Sequence, residues 1–100
     1  VTITEYQNFV DENCREYTDK AYSVIALNGE AGEVAEWYKK AVLRGNPDGK
    51  LSKQDLKEEL GDVLFYLVRL AALYKWSLEE VMDANVAKLE KRKAKNGIIG

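Results

Sequence analysis

One helix of this chain carries apolar side chains on both of its sides, and that limits the possible folds more than any other feature. Leu56, Leu60, Val63, Leu64, Leu67, Leu70 and Ala71 fall on one arc at helical spacing, with Phe65, Val68 and Ala72 opposite. A helix hydrophobic all round is buried all round. The apolar run at residues 63–76, VLFYLVRLAALYKW, is shorter than the roughly 20 residues of a membrane span and contains Arg69 and Lys75. The run therefore reads as a buried helix, and no membrane partner is expected. A chain of 100 residues is near the lower end of what buries a sufficient core alone. A partner subunit is the expected cover for the second side. The alternative is a monomer in which the first helix covers it.

The remaining pattern is helical too, and no segment reads well as a strand. A first helix is predicted over residues 4–17, with Tyr6, Phe9, Val10, Cys14 and Tyr17 at helical spacing, and a second over 22–43. The stretch RGNPDGK, residues 44–50, holds the only proline and two of the seven glycines, so it breaks the chain. Ser52 with Asp55 resembles a capping box and opens a third helix ending near Tyr74. Ser77 with Glu80 reads as another, starting a fourth helix that runs to Lys95, with Asn96 and Gly97 as the stop. The expected architecture is all-α, a four-helix bundle forming one domain over residues 1–100.

Composition narrows the function. A net charge of −2 gives nucleic acid no general attraction, so no such partner is expected. Cys14 is the single cysteine, which rules out an internal disulfide, and the polar start VTITEYQNF is unlike a signal peptide. A cytoplasmic location is expected. Histidine is absent, which removes the usual zinc ligand, the usual general base and any Ser-His or Cys-His pair.

The second and third helices share a stripe. Glu30-Ala31-Gly32-Glu33-Val34 matches Glu59-Leu60-Gly61-Asp62-Val63; Trp37 then matches Tyr66, and Lys40 matches Arg69. On a helix these offsets fall within a strip roughly 80° wide. Apolar residues flank each strip: Leu27, Val34, Tyr38 and Ala41 on one helix, Leu56, Val63, Leu67 and Leu70 on the other. If those arcs pack together, the acidic strips face each other across a cleft. Gly32 and Gly61 then mark places where backbones or a ligand approach closely.

Two unit charges about 4 Å apart repel by roughly 4 kcal/mol at an effective dielectric near 20, so four carboxylates in one cleft call for a cation. Without histidine the ligands are all oxygen, which suits magnesium, manganese or calcium rather than iron or zinc. Magnesium on a few carboxylates completes its shell with water and substrate phosphate. In a chain that is 32% charged, a single E-x-x-E is an ordinary solvated surface. Two copies with the same glycine and the same flank are much harder to dismiss.

The fourth helix offers hydrogen-bond donors. Asn85, Lys88 and Arg92 form a strip bordered by Leu78, Met82 and Leu89. Asn85 suits a base or sugar edge, and Lys88 and Arg92 suit phosphate oxygens. Snorkelling of the two basic stems along apolar surface is the competing account.

LNGEAGEVAEWYKK, then EELGDVLFYLVRLA, then NVAKLEKRK resembles the all-α MazG-like nucleoside triphosphate pyrophosphohydrolases, over nearly the whole chain from Tyr6-Gln7 to the closing NGIIG. The family signature, E-x-x-E followed by E-x-x-D, is filled by Glu30, Glu33, Glu59 and Asp62. The resemblance implies that these four bind Mg2+, with Mn2+ as the alternative ion. It also implies hydrolysis of a nucleoside triphosphate to the monophosphate and pyrophosphate, and assembly as a dimer or dimer of dimers. On that basis a metal-activated water attacks the α-phosphorus, with Glu30 or Glu33 as catalytic base. Lys88 and Arg92, joined by Lys40, stabilise the leaving group; Asn85 contacts the nucleoside, and Trp37 or Tyr66 stacks on the base. Two alternatives stand: a non-catalytic helical dimerisation or metal-binding module, and phosphoribosyl-ATP pyrophosphohydrolase. The latter's second motif typically has an alanine-aspartate pair followed by tyrosine-histidine, and GDVLFYL lacks both the alanine and the histidine.

Overall fold

A computed structural model describes residues 1–97; the last three residues of the closing NGIIG lie outside the described residues. Four α-helices follow one another: α1 (Ile3–Asn13), α2 (Lys20–Tyr38), α3 (Lys53–Leu73) and α4 (Leu78–Asn96). A π-helical turn, Lys39–Leu43, continues α2. There is no strand among the described residues, and none of their helices is long and apolar enough to cross a membrane.

Local chemistry fixes the helix ends. Thr2 and Glu5 form a reciprocal capping box on α1, which was not foreseen, and Ser52 with Asp55 forms the expected one on α3. α1 stops four residues before Tyr17, because Cys14 is extended and the chain turns through a Thr18 N–H to Arg15 carbonyl bond. α2 begins earlier than expected because the Asp19 carboxylate accepts the Tyr22 N–H at 2.8 Å. At Ser77 only half of the expected box forms: its hydroxyl accepts the Glu80 N–H, and Gln7 of α1 accepts the Leu78 N–H at 2.6 Å. Gly97 closes α4 in the left-handed region at φ 82°.

The main packing is α2 against α3, with α1 laid on α3 and α4 touching α3 only slightly. Among the described residues Val10, Val68 and Ala71 are the buried apolar ones, so the core sits where α1 meets the carboxy-terminal half of α3. Arg69 ties this corner together: its Nε–H donates to the Thr18 carbonyl at 3.0 Å, and a guanidinium nitrogen lies 3.9 Å from Asp11. Val68 is thus buried within the chain, whereas Leu60 (53% exposed) and Leu64 (37%) remain open on the other arc. The Cα radius of gyration is 16.4 Å, against about 13 Å for a compact domain of this length.

Candidate functional site

Side-by-side packing of α2 and α3 brings the two acidic strips together. One carboxylate oxygen each from Glu30, Glu59 and Asp62 lies within 4.8 Å of the others. Glu33, one turn after Glu30, is exposed and outside this trio, yet its charge acts on both Glu30 and Glu59. Loss of water, then the charges of Asp62, Glu59 and Glu33, pushes the Glu30 carboxyl above its ordinary range. Glu59 is pushed up by desolvation first, then by Asp62, Glu33, Glu58 and Asp55. Tyr6 of α1 also borders the cluster: desolvation, then the charge on Asp62, raises its phenol.

Three clefts run in sequence along α2. The first, about 420 Å³, is walled by Tyr22, Ile25, Ala26, Gly29 and Tyr66 and floored by Glu30 and Glu33. The Tyr22 and Tyr66 ring centroids are 6.2 Å apart, with Tyr17 edge-on to Tyr22. The second, about 350 Å³, joins Glu33, Glu36, Trp37 and Lys40 to Lys50, Asp55 and Glu59. Trp37 is anchored there by its indole N–H, which donates to the Ser52 carbonyl at 3.1 Å. Lys40 is 3.5 Å from Glu36, which also pairs with Lys39 at 3.0 Å. The third, about 410 Å³, is formed by Lys40 with the loop residues Arg44, Asn46, Asp48, Lys50 and Leu51.

Other sequence-level expectations map differently. Asn85, Lys88 and Arg92 are exposed on α4 and stand outside the lining of these three clefts. Gly32 and Gly61 are not sites of close backbone approach: a Cβ at either would meet nothing within 4 Å. Arg69, the formal counterpart of Lys40, holds Thr18 and Asp11 instead of the cleft. Tyr38 is 52% exposed and flanks the strip without being covered. Arg44 and Lys50 line a cleft that sequence reading did not indicate, because the loop was seen as a break. Their signal is the grouping of Lys40, Arg44 and Lys50 around a Gly-Asn-Pro turn.

The family model described as MazG nucleotide pyrophosphohydrolase domain matches residues 18–96. The chain is 37% identical over 91 residues to the Gene 37 protein of Mycobacterium phage L5, covering 88% of this chain and 78% of that protein. It is 45% identical over 72 residues to the "Uncharacterized protein YvdC" of Bacillus subtilis (strain 168), covering 66% and 68%. No solved structure matches.

Proposed function

Because the chain belongs to the MazG nucleotide pyrophosphohydrolase domain family, we propose that it hydrolyses a nucleoside triphosphate to the monophosphate and pyrophosphate, as a house-cleaning or pool-control activity. The observation that carries this reading is the convergence of Glu30, Glu59 and Asp62 from two helices on one point. The donors fit magnesium: they are all oxygen, and their spacing within 4.8 Å is near the about 4.2 Å between opposite ligands of that ion. Glu30, Glu59 and Asp62 would hold it, with Glu33 beside them, and manganese would accept the same set. When bound, such an ion lowers the pKa of water and offsets charge on phosphoryl oxygens.

The chain's own groups divide the remaining work. Glu33 adjoins both the aromatic and the acidic cleft and is free of the trio, so it takes the proton from the attacking water. Glu30, its carboxyl raised by its surroundings, is the second choice of base. Water oxygen bonds to the α-phosphorus, the bond from that phosphorus to the bridging oxygen breaks, and pyrophosphate leaves with the electron pair. Lys40 offsets the leaving charge, and Trp37 shapes the cleft wall, its indole N–H being already engaged by Ser52.

Assembly as a homodimer or homotetramer is part of the same reading. Ile25 (74% exposed), Leu60 (53%) and Val86 (55%) leave apolar surface that a second copy would cover. Asn85, Lys88 and Arg92 keep a substrate-binding role only if assembly carries α4 over a cleft.

A magnesium-supplemented panel of nucleotides, assayed for pyrophosphate release by wild type and Glu33→Gln, tests the activity. Near-complete loss in the variant with unchanged helix content is expected. A folded wild type that turns over no nucleotide would instead favour a non-catalytic module.

A further inference from the structure

We propose that Lys50 and Arg44, together with Lys40, form the subsite that holds the departing pyrophosphate, so that the substrate lies along α2 with its polyphosphate end toward the loop at residues 44–51. This rests on the acid cluster being a triphosphate site. The clefts on either side of that cluster differ in kind. Toward the amino end of α2, Tyr22, Ile25, Ala26, Gly29 and Tyr66 supply aromatic and apolar wall with no cation. Toward the carboxy end, the acidic cleft sets Lys40 and Lys50 beside four carboxylates, and in the loop cleft beyond it three cations face one carboxylate, Asp48. The acidic cleft and the loop cleft adjoin, with Lys40, Lys50 and Leu51 lining both. Of these three clefts, the loop cleft is the one whose lining is net positive and so suited to a pyrophosphate anion.

The backbone keeps these cations in place before any ligand arrives. Asn46 donates to the Leu51 carbonyl at 2.9 Å and accepts the Leu51 N–H at 3.2 Å, fixing the residue after Lys50. Gly45, Asn46 and Gly49 take the left-handed φ values of 73°, 51° and 64° that this tight turn demands. Arg44 donates its N–H to the Lys39 carbonyl, the five-residue spacing of the π-turn. Four residues apart across this turn, Lys40 and Arg44 share a face and line the same cleft. Lys40 is seven residues beyond Glu33, about 10 Å along the axis, so Lys40 and Lys50 meet the phosphate chain first and Arg44 meets its far end. Among the described residues neither Arg44 nor Lys50 makes an ion pair, and the Lys40 pair with Glu36 is half-exposed and weak enough to exchange.

Calorimetric titration of the full chain with inorganic pyrophosphate, and separately with a nucleoside monophosphate, both in magnesium buffer, tests the assignment. Lys50→Ala and Arg44→Ala should each weaken pyrophosphate binding by about tenfold, the loss expected for one charge-assisted hydrogen bond. Monophosphate affinity should stay within about twofold of wild type on the same basis, and Lys50→Arg should recover most of the pyrophosphate affinity. Lys57→Ala, an exposed lysine on α3 outside these clefts, serves as the charge control and should bind like wild type. Unchanged pyrophosphate affinity in both alanine variants, or an equal loss for the monophosphate, overturns the subsite. Wild-type turnover then locates the fault. If wild type releases pyrophosphate from nucleotides, only the subsite falls; if it neither turns over nor binds pyrophosphate, the reading of the acid cluster falls with it.

Discussion

Replacing Arg69 separates architecture from chemistry at a position where the sequence pattern equates the two. In the repeated stripe Arg69 is the partner of Lys40, so a functional reading would give both to the substrate. In the fold its Nε–H satisfies the carbonyl of Thr18, a residue only 3% exposed, and its guanidinium reaches the half-exposed Asp11. Arg69→Ala removes a charge-assisted bond and leaves that carbonyl unsatisfied, at a cost of about 2 kcal/mol, whereas the Asp11 pair adds well under 1 kcal/mol. For a domain of this size the midpoint of thermal unfolding should fall by on the order of 10 °C. Circular dichroism melts at matched protein concentration read this directly. Arg69→Lys should recover little, because an ammonium cannot reproduce the planar fork. Below the new midpoint, magnesium and pyrophosphate binding should survive in the variant, while Lys40→Ala should keep its midpoint and lose pyrophosphate affinity. An Arg69→Ala protein that melts like wild type but no longer binds pyrophosphate would refute the assignment of this residue to the corner of α1, α2 and α3.

Three more outcomes follow from the site and the loop. Glu30→Gln should raise the midpoint in the absence of divalent ions, because Glu30 sits where its charged form is disfavoured, and should abolish any further rise on adding magnesium. The gap between that variant and wild type should widen as pH climbs above the ordinary 4.5, since a raised carboxyl binds more protons folded than unfolded and stability then falls with pH; a gap that is flat from acid to neutral pH would contradict it. Asn46→Ala should cost about 1–2 kcal/mol in denaturant titrations through its two lost bonds, and should weaken pyrophosphate binding as the loop loosens. Leu60→Glu, at a half-exposed apolar position, should lower the sedimenting mass toward 11.3 kDa if α3 is an assembly face.

The parts of the site that depend on helical period were legible in the sequence. Glu30, Glu59 and Asp62 converge because the acids of each strip, Glu30 with Glu33 and Glu59 with Asp62, are one turn apart and an apolar arc beside each strip packs α2 onto α3. The break at residues 44–50 and the caps at Ser52 and Gly97 were legible for the same local reason. What escaped was set by contacts between distant segments. Gln7 accepts the Leu78 N–H at the start of α4 across 71 residues, and Arg69 turns to Thr18 across 51. Lys50 escaped because its position depends on Asn46 holding Leu51, which the spacing of charges does not reveal. The expectation of four helices held, but the open side of α3 is not the one expected: the second side is buried within the chain at Val68, while the first arc stays bare at Leu60 and Leu64.

The bond from the start of α4 to Gln7 has a mechanical consequence. α4 is a rod of 19 residues pinned at one end and almost wholly solvent-exposed from Met82 onward, which makes it about 28 Å long. A swing of about 10° at the pinned end displaces the far tip by about 5 Å on that length. The resting place of Lys88 and Arg92 is therefore governed less by their own surroundings than by the angle at which α4 leaves its start, where α3 and Gln7 hold it, amplified along a lever.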